Sequence, residues 1–356
     1  MLNAEVYVAH EWDPLQEVIL GGVPPYNQIP RSLIARCKRA ISLWWRRAVY
    51  ANVIKETDHV AALLRERGIK VHRFNEFEGA TNMFGCLALF PRDPVLVLGN
   101  SLVACAMKAA RRRNEIDVIK NRLLSLGKID EANIIKMPPY KYPAEYYPDD
   151  VLLEGGNVLI NGNELYVGSM HMVNIPLPWP ANLIHSYSLA FFRAWQRILK
   201  NGEPLLNYQN EMAKIRSRTY SSKPAIAWLQ QQFGNQYTIH EIIIKASFYI
   251  DLDGCLAFVR PGLGIICREV IANKLPESIQ DWDFIEISLD ELQTHAANIL
   301  SLDPTTVMID DRNTRVAQEL RKRNIDVIEV PFSHVGQYQG SLRCFHQALL
   351  RSNNKD

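Results

Sequence analysis

The chain lacks closely spaced cysteines. Its six cysteines, at positions 37, 86, 105, 255, 267 and 344, are scattered and form no C-x-x-C pair. That excludes the usual zinc-site spacing, and the expected state is reduced thiols in a cytoplasm. No apolar run approaches the ~20 residues that a membrane span needs. The first residues, Met1 to Tyr7, hold no basic stretch followed by an apolar core, so no secretory leader is expected. An excess of charge of one sign is also missing: Lys+Arg number 40 against 38 Asp+Glu. Neither a nucleic-acid nor a membrane partner follows from that balance. There is no Walker-type glycine loop, no metal-ligand cluster and no low-complexity tract, and no motif calls for a cofactor.

What is present is enough apolar sequence for a large core: 47% of 356 residues. At ~150 residues per domain the length suggests two domains, but closed α/β folds run longer as one. Short apolar runs alternate with helical segments. Val18–Leu20 reads as a strand. Residues 51–68 place Val53, Ile54, Val60, Leu63 and Leu64 at helical spacing, Gly68 stops the helix, and 69–72 reads as a strand. Near the other end, 307–309 reads as a strand, 313–324 as a charged helix and 325–330 as a strand. Further strands are expected at 95–99, 157–160, 164–168, 255–259 and 263–267. The segments Arg67-Gly-Ile-Lys-Val71 and Arg323-Asn-Ile-Asp-Val327 enter their strands alike, which hints at a repeated unit. The Pro/Tyr-rich residues 137–150 and the Pro-rich 174–181 read as ordered surface loops. Residues 33–47 are basic and amphipathic; a helix packed on its own domain is favoured over a membrane-surface helix.

Five segments carry the chemistry. They are Glu11-Trp-Asp-Pro-Leu-Gln-Glu-Val-Ile-Leu-Gly21, Phe90-Pro-Arg-Asp-Pro-Val-Leu-Val-Leu-Gly99 and Leu153-Glu-Gly-Gly-Asn-Val-Leu-Ile160. The others are Asp251-Leu-Asp-Gly-Cys-Leu-Ala-Phe-Val-Arg-Pro-Gly-Leu263 and Gly340-Ser-Leu-Arg-Cys-Phe-His346. In this order, and over roughly residues 6 to 351, they resemble the amidinotransferase family, glycine amidinotransferases among them. That family belongs to the guanidino-modifying (pentein) group with the arginine deiminases and dimethylarginine hydrolases. The Glu-Gly-Gly motif is more similar to the deiminase branch. The resemblance implies a single closed α/β propeller over residues 1–356, five ββαβ modules about a pseudo-fivefold axis, with the active site in the central cavity. It also implies small-molecule substrates, arginine or another guanidino compound and an amine acceptor. A homodimer is compatible with it.

By the resemblance, Cys344 is the nucleophile that attacks the guanidinium carbon; a thiolate is nucleophilic where a hydroxyl is not. From its surroundings alone, Cys344 reads equally as a buried apolar cysteine. Asp93 and Asp253 match acids that hold guanidinium N–H groups. Their sequence neighbours allow a blander role, Asp93 in a turn before Pro94 and Asp253 in an Asp-Gly hairpin turn. Arg92 accompanies Asp93. Arg343 stands where most members carry a histidine, and a cation there would favour thiolate if it points inward. Arg268 lies near a carboxylate-binding position of some members, displaced by two residues. Arg111–Arg113 reads as a solvated helix face.

Two departures from the family are plain. Asp251 stands where a histidine is expected, and Asn157 where an aspartate is expected. Asparagine keeps the shape and hydrogen-bonding capacity of aspartate without its charge. Three outcomes are open. Asp251 takes over proton transfer with Asn157 orienting the substrate; or catalysis is lost and the cavity only binds; or another histidine substitutes, with His346, His334, His171 and His240 as candidates.

Overall fold

The structure, a computed structural model, describes residues 6–23, 33–80, 88–107, 112–138, 151–170, 223–245 and 251–352, with backbone alone at 33–49 and 170. Among the described residues, fifteen strands make five three-stranded sheets. The strands are β1 Leu15–Leu20, β2 Lys70–Arg73, β3 Val95–Leu98, β4 Ser101–Ala104, β5 Ile134–Lys136, β6 Val158–Asn161, β7 Glu164–Met170 and β8 Thr238–Ile244. They continue with β9 Leu256–Arg260, β10 Leu263–Ile266, β11 Asp283–Glu286, β12 Leu300–Asp303, β13 Thr306–Asp310, β14 Asp326–Val330 and β15 His346–Arg351.

Each sheet repeats one plan. An antiparallel hairpin is followed by a crossover to a third strand parallel to the second, as in β3–β4–β5, β6–β7–β8, β9–β10–β11 and β12–β13–β14. A parallel return needs a long connection, usually a helix, and helices Asn114–Ser125, Lys223–Phe233 and Thr314–Lys322 supply it. The remaining sheet is made from both ends of the chain. β15 pairs antiparallel with β1, and β1 pairs parallel with β2 across helix Leu33–Glu66. This is the five-module α/β plan that the sequence resemblance implies.

Neighbouring modules touch in a closed cycle. The first sheet meets the second through β15 and β3 and the fifth through β1 and β12; the fifth meets the fourth through β12 and β9. The fourth meets the third at the Ile244–Ile271 bridge. The third meets the second where Gly155 N donates to Asp93 O at 2.9 Å.

Local sequence explains the repeated unit. Helices Leu33–Glu66 and Thr314–Lys322 both end on a residue in the left-handed region, Gly68 at φ 77° and Asn324 at φ 59°. These are the two residue types that adopt it most cheaply. Ile69 N then donates to Leu64 O and Ile325 N to Leu320 O, both at 3.1 Å, the same C-terminal closure in each module. Helix Thr314–Lys322 buries Val316, Ala317 and Leu320 and leaves Arg315, Arg321 and Lys322 for solvent-side ion pairs. The basic 33–47 segment and the 51–66 segment form one continuous helix. Residues 139–150 and 174–181 lie outside the described residues. Among the described residues no helix is long and apolar enough to cross a membrane.

Under the ring's centre lies a buried charge network. Glu11, from the Glu-Trp-Asp-Pro segment, accepts from the guanidinium of Arg343, with Arg343 Nη2 at 2.8 Å, and from Ile160 N at 3.1 Å. Arg92 reaches Glu11 at 3.5 Å and donates to Val158 O at 2.7 Å. Burial alone would raise the Glu11 carboxyl, but Arg343, Arg92 and Arg351 hold it down at about 2. One anion therefore serves three buried cations, and removing it strands them. Glu11→Gln is expected to cost roughly 3–5 kcal/mol in denaturant unfolding; a loss below about 1 kcal/mol would show the network is dispensable.

Candidate active site

The five modules each deliver a polar residue at the same place, the turn just before the first strand of the hairpin. Asp93 precedes β3, Asn157 precedes β6, Asp253 precedes β9, Asn298 precedes β12 and Cys344 precedes β15. Side chains at equivalent points of a ring of repeats converge on its axis. The contacts bear this out: Cys344 Sγ lies 3.6 and 3.7 Å from the two oxygens of Asp253 and 3.2 Å from Asn298 Nδ2.

Three carboxylates surround the backbone of Gly156. A Cβ built there would stand 3.1 Å from Asp93 Oδ1, 3.2 Å from Asp251 Oδ2 and 3.2 Å from Asp253 Oδ2. The two glycines of the Glu-Gly-Gly motif answer different neighbours: a Cβ at Gly155 would stand 2.1 Å from Arg92 O, and one at Gly156 would press on all three carboxylates. Asp93 is held from behind: Arg112 Nη1 donates to its Oδ2 at 2.6 Å, while the guanidinium also grips Glu115 and Phe90 O. Asp93 Oδ1 is buried and has no hydrogen-bond partner among the described residues. A buried acceptor without a donor is costly, and this one faces the other two acids.

Asn157 and Asp251 form a pair. Asn157 Nδ2 donates to Asp251 Oδ1, and Asn157 Oδ1 accepts from Leu252 N at 3.0 Å. An aspartate at 157 would set a second carboxylate against Asp251. The two departures from the family pattern are thus complementary: the amide supplies the donor that the acid at 251 requires. Asp251 and Asp253 sit at the start of a short helical turn, Leu252–Cys255, rather than on a strand or in a hairpin turn. The turn folds both carboxylates toward Gly156.

Electrostatics follow from burial and crowding. Burial pushes Asp251 well above the ordinary carboxylate range, and Glu154, Asp93 and Asp253 add to the rise against the Asn157 hydrogen bond. Burial raises Asp253 to about 7, with Arg343 opposing and Asp93 adding. Burial, Asp253, Asp93 and Asp251 push the Cys344 thiol well up, while the Asn298 hydrogen bond pulls it down. A cation among the carboxylates would reverse these shifts. Among the described residues no group of His, Cys, Asp and Glu is arranged to hold a metal ion. The set suits a planar, multi-donor cation: three carboxylates gathered about one backbone position, with one oxygen of Asp93 still lacking a donor.

The other expected site residues fall elsewhere. Arg92 and Arg343 lie behind Asp253 with their Nη donors committed to Glu11, Val158 O and Gln347, while the buried Nε of each has no hydrogen-bond partner among the described residues. Arg343 Nε does remain 3.9 Å from Asp253 Oδ2. Arg268 is half-exposed, paired with Glu286 at 2.7 Å and set over the Phe284 ring, outside this cluster. His334 is bound by Glu56 at 2.7 Å and Asn52 at 3.0 Å. His346 does not share a strand face with Cys344, which sits in the preceding turn. It is buried, donates from Nδ1 to Leu342 O at 2.8 Å, and burial and Arg343 hold it well below its usual value. His240 stacks on Tyr166 beside Glu164. His171 lies outside the described residues.

Two residues escaped the sequence reading. Arg112 belongs to a run read as solvated, yet it is only slightly exposed and ion-paired with Asp93 and Glu115. Asn298 had no motif of its own. Its signal was positional: a polar residue two before the apolar run Leu300-Ser-Leu302, as Asp93 stands two before Val95.

The family model described as arginine deiminase matches residues 267–351. The L-arginine:L-lysine amidinotransferase of Pseudomonas savastanoi pv. phaseolicola is 22% identical over 94% of this chain and 91% of its own length. A 171-residue stretch is 26% identical to the uncharacterised protein YkgA of Bacillus subtilis (strain 168), covering 48% of this chain and 58% of that protein. The solved inosamine-phosphate amidinotransferase StrB1 of Streptomyces griseus superposes with TM-score 0.66 at 18% identity, over 99% of this chain and 98% of its own. At that identity the structural likeness speaks for the fold. The arginine-deiminase-like match and the curated relatives together support the amidinotransferase family, and amidino transfer in general terms.

The raised acids have a consequence for stability. A carboxyl with a raised native pKa contributes fully below its unfolded value and loses that contribution as pH rises through the native one. For Asp253 that window runs from 3.8 to about 7, and Asp251 acts in the same direction. Thermal stability of the ligand-free protein should therefore fall between about pH 4 and about pH 7, and Asp253→Asn should flatten the fall. Equal slopes in variant and parent would contradict this account of the site.

Proposed function

From a chain whose relatives support the amidinotransferase family, we propose an enzyme that takes the amidino group of arginine onto Cys344 and passes it to an amine acceptor. The observation that carries this reading is the convergence of Asp93, Asp251 and Asp253 around Gly156, with the Cys344 thiol against Asp253. The arginine donor is supported by the Pseudomonas relative, an L-arginine:L-lysine amidinotransferase. The substrates are small molecules, and a reducing cytoplasm suits a free thiol at the centre. The reading takes residues 1–356 as one catalytic unit.

The chemistry runs in two half-reactions. The guanidinium settles among the three acids and compensates their charge. The Cys344 proton passes to Asp253, and Sγ bonds to the guanidinium carbon. The bond from that carbon to the side-chain nitrogen breaks, and the leaving amine takes a proton from Asp251. Asn157 holds Asp251 in place through the hydrogen bond from Nδ2 to Oδ1. The acceptor amine then attacks the amidino-cysteine, gives up a proton to Asp251, and releases Sγ, which recovers its proton. No redox step occurs. A carboxyl with a raised pKa is suited to such a shuttle near neutral pH.

A second reading is a protein that binds a guanidino compound without turnover. The thiol is held strongly protonated in the ligand-free state, and no histidine touches it among the described residues. Incubation with labelled arginine, followed by mass spectrometry of the Cys344 peptide, separates the two. The proposal expects an amidino adduct on Cys344 that a suitable amine discharges; tight binding with no adduct over a wide pH range supports the second reading. Asp251→Asn should slow turnover by about 10²–10⁴-fold, the usual worth of general acid–base catalysis. A loss under about tenfold would remove Asp251 from proton transfer.

A further inference from the structure

Asn298 is two percent exposed and lies at the centre of the nucleophile turn. Its Oδ1 accepts from three backbone N–H groups of that turn: Ser341 at 3.0 Å, Arg343 at 3.1 Å and Cys344 at 3.2 Å. Its Nδ2 donates to Asp253 O at 3.1 Å and to Cys344 Sγ at 3.2 Å. Both hydrogens of the amide are thereby engaged, and the oxygen gathers three donors. The main chain of residue 298 also accepts from Arg343 N at 3.3 Å. One side chain thus joins the turn bearing Cys344 to the turn bearing Asp253.

The two ends of the amide do different work. The oxygen shapes the turn, since three N–H groups must point inward to reach it. The amino end points at sulfur, and an N–H donor aimed at sulfur favours the thiolate over the thiol. Among the described residues, the charged groups that act on Cys344 are the acids Asp253, Asp93 and Asp251, together with Arg343, and the Nδ2 of Asn298 is the donor hydrogen-bonded to the sulfur. Asn298 is therefore the neighbour that can stabilise a sulfur anion by a direct hydrogen bond.

We propose that Asn298 is a positioning residue that orients Cys344 and stabilises its thiolate through the Nδ2–Sγ hydrogen bond. The inference rests on Cys344 being the nucleophile. Its test is independent of turnover.

Asn298→Asp keeps the shape and the accepting oxygen and removes the N–H donor to sulfur. The measurement is the pH profile of Cys344 alkylation by iodoacetamide, followed on the Cys344 peptide by mass spectrometry. The variant's midpoint is expected to rise by at least about one unit, so that alkylation at a fixed pH below the midpoint slows about tenfold or more. An unchanged profile in a folded variant overturns the proposal, because the donor to sulfur is then lost with no effect on the thiolate. If the variant does not fold, the parent protein decides. The side-chain amide signals of Asn298, followed by NMR with selectively labelled asparagine, should titrate with the same midpoint as the thiol; signals that ignore that titration overturn the proposal. Absence of arginine turnover together with a shifted profile would remove the proposed function and leave this inference standing.

Discussion

Three crowded carboxylates, two buried and the third half-buried, cannot all carry charge unless a cation lies between them. The rest of the site follows from that constraint. Asp93, Asp251 and Asp253 crowd one backbone position, where a single added carbon would stand 3.1–3.2 Å from an oxygen of each. In the ligand-free protein the cost is reduced by the raised proton affinity of Asp251 and Asp253, by Arg112 behind Asp93, and by Arg343 and Arg92 behind Asp253. Glu11 then keeps those arginines from repelling one another in the interior. The cluster is a set of acids under tension, backed by a layer of cations and a deeper anion.

The Asn157–Asp251 pair belongs to the same balance. An acid added at 251 and an acid removed at 157 leave the number of carboxylates unchanged and keep a hydrogen bond between the two positions. Had 157 remained an aspartate, a fourth carboxylate would face the same space, with no donor for Asp251. The substitutions read as one coupled change in which the charge moves and the contact stays.

Much of the architecture was legible in sequence because its signals are local. The left-handed stops at Gly68 and Asn324, each followed by an apolar strand, mark the same unit at both ends of the chain. The Glu-Gly-Gly motif and the acid positions were readable from their resemblance to a known family. What escaped depends on partners distant along the chain. Arg343 looked available to the thiol, yet its partner Glu11 lies 332 residues away. Arg112 looked solvated because three arginines in a row suggest an open helix face, and its partner Asp93 comes from another turn. Asn298 is an ordinary asparagine until the ring places it beneath Cys344. His346 seemed close to the thiol by alternation, but the turn ends where the strand begins, so the alternation does not apply.

The most direct test of the central constraint is calorimetry of arginine binding, repeated near pH 6.5 in two buffers of different ionisation enthalpy. A cation entering a partly protonated cluster must displace protons, so binding should release about one proton per site, and the apparent enthalpy should differ between buffers accordingly. Binding with identical enthalpy in both buffers, or no binding at all, would contradict the account.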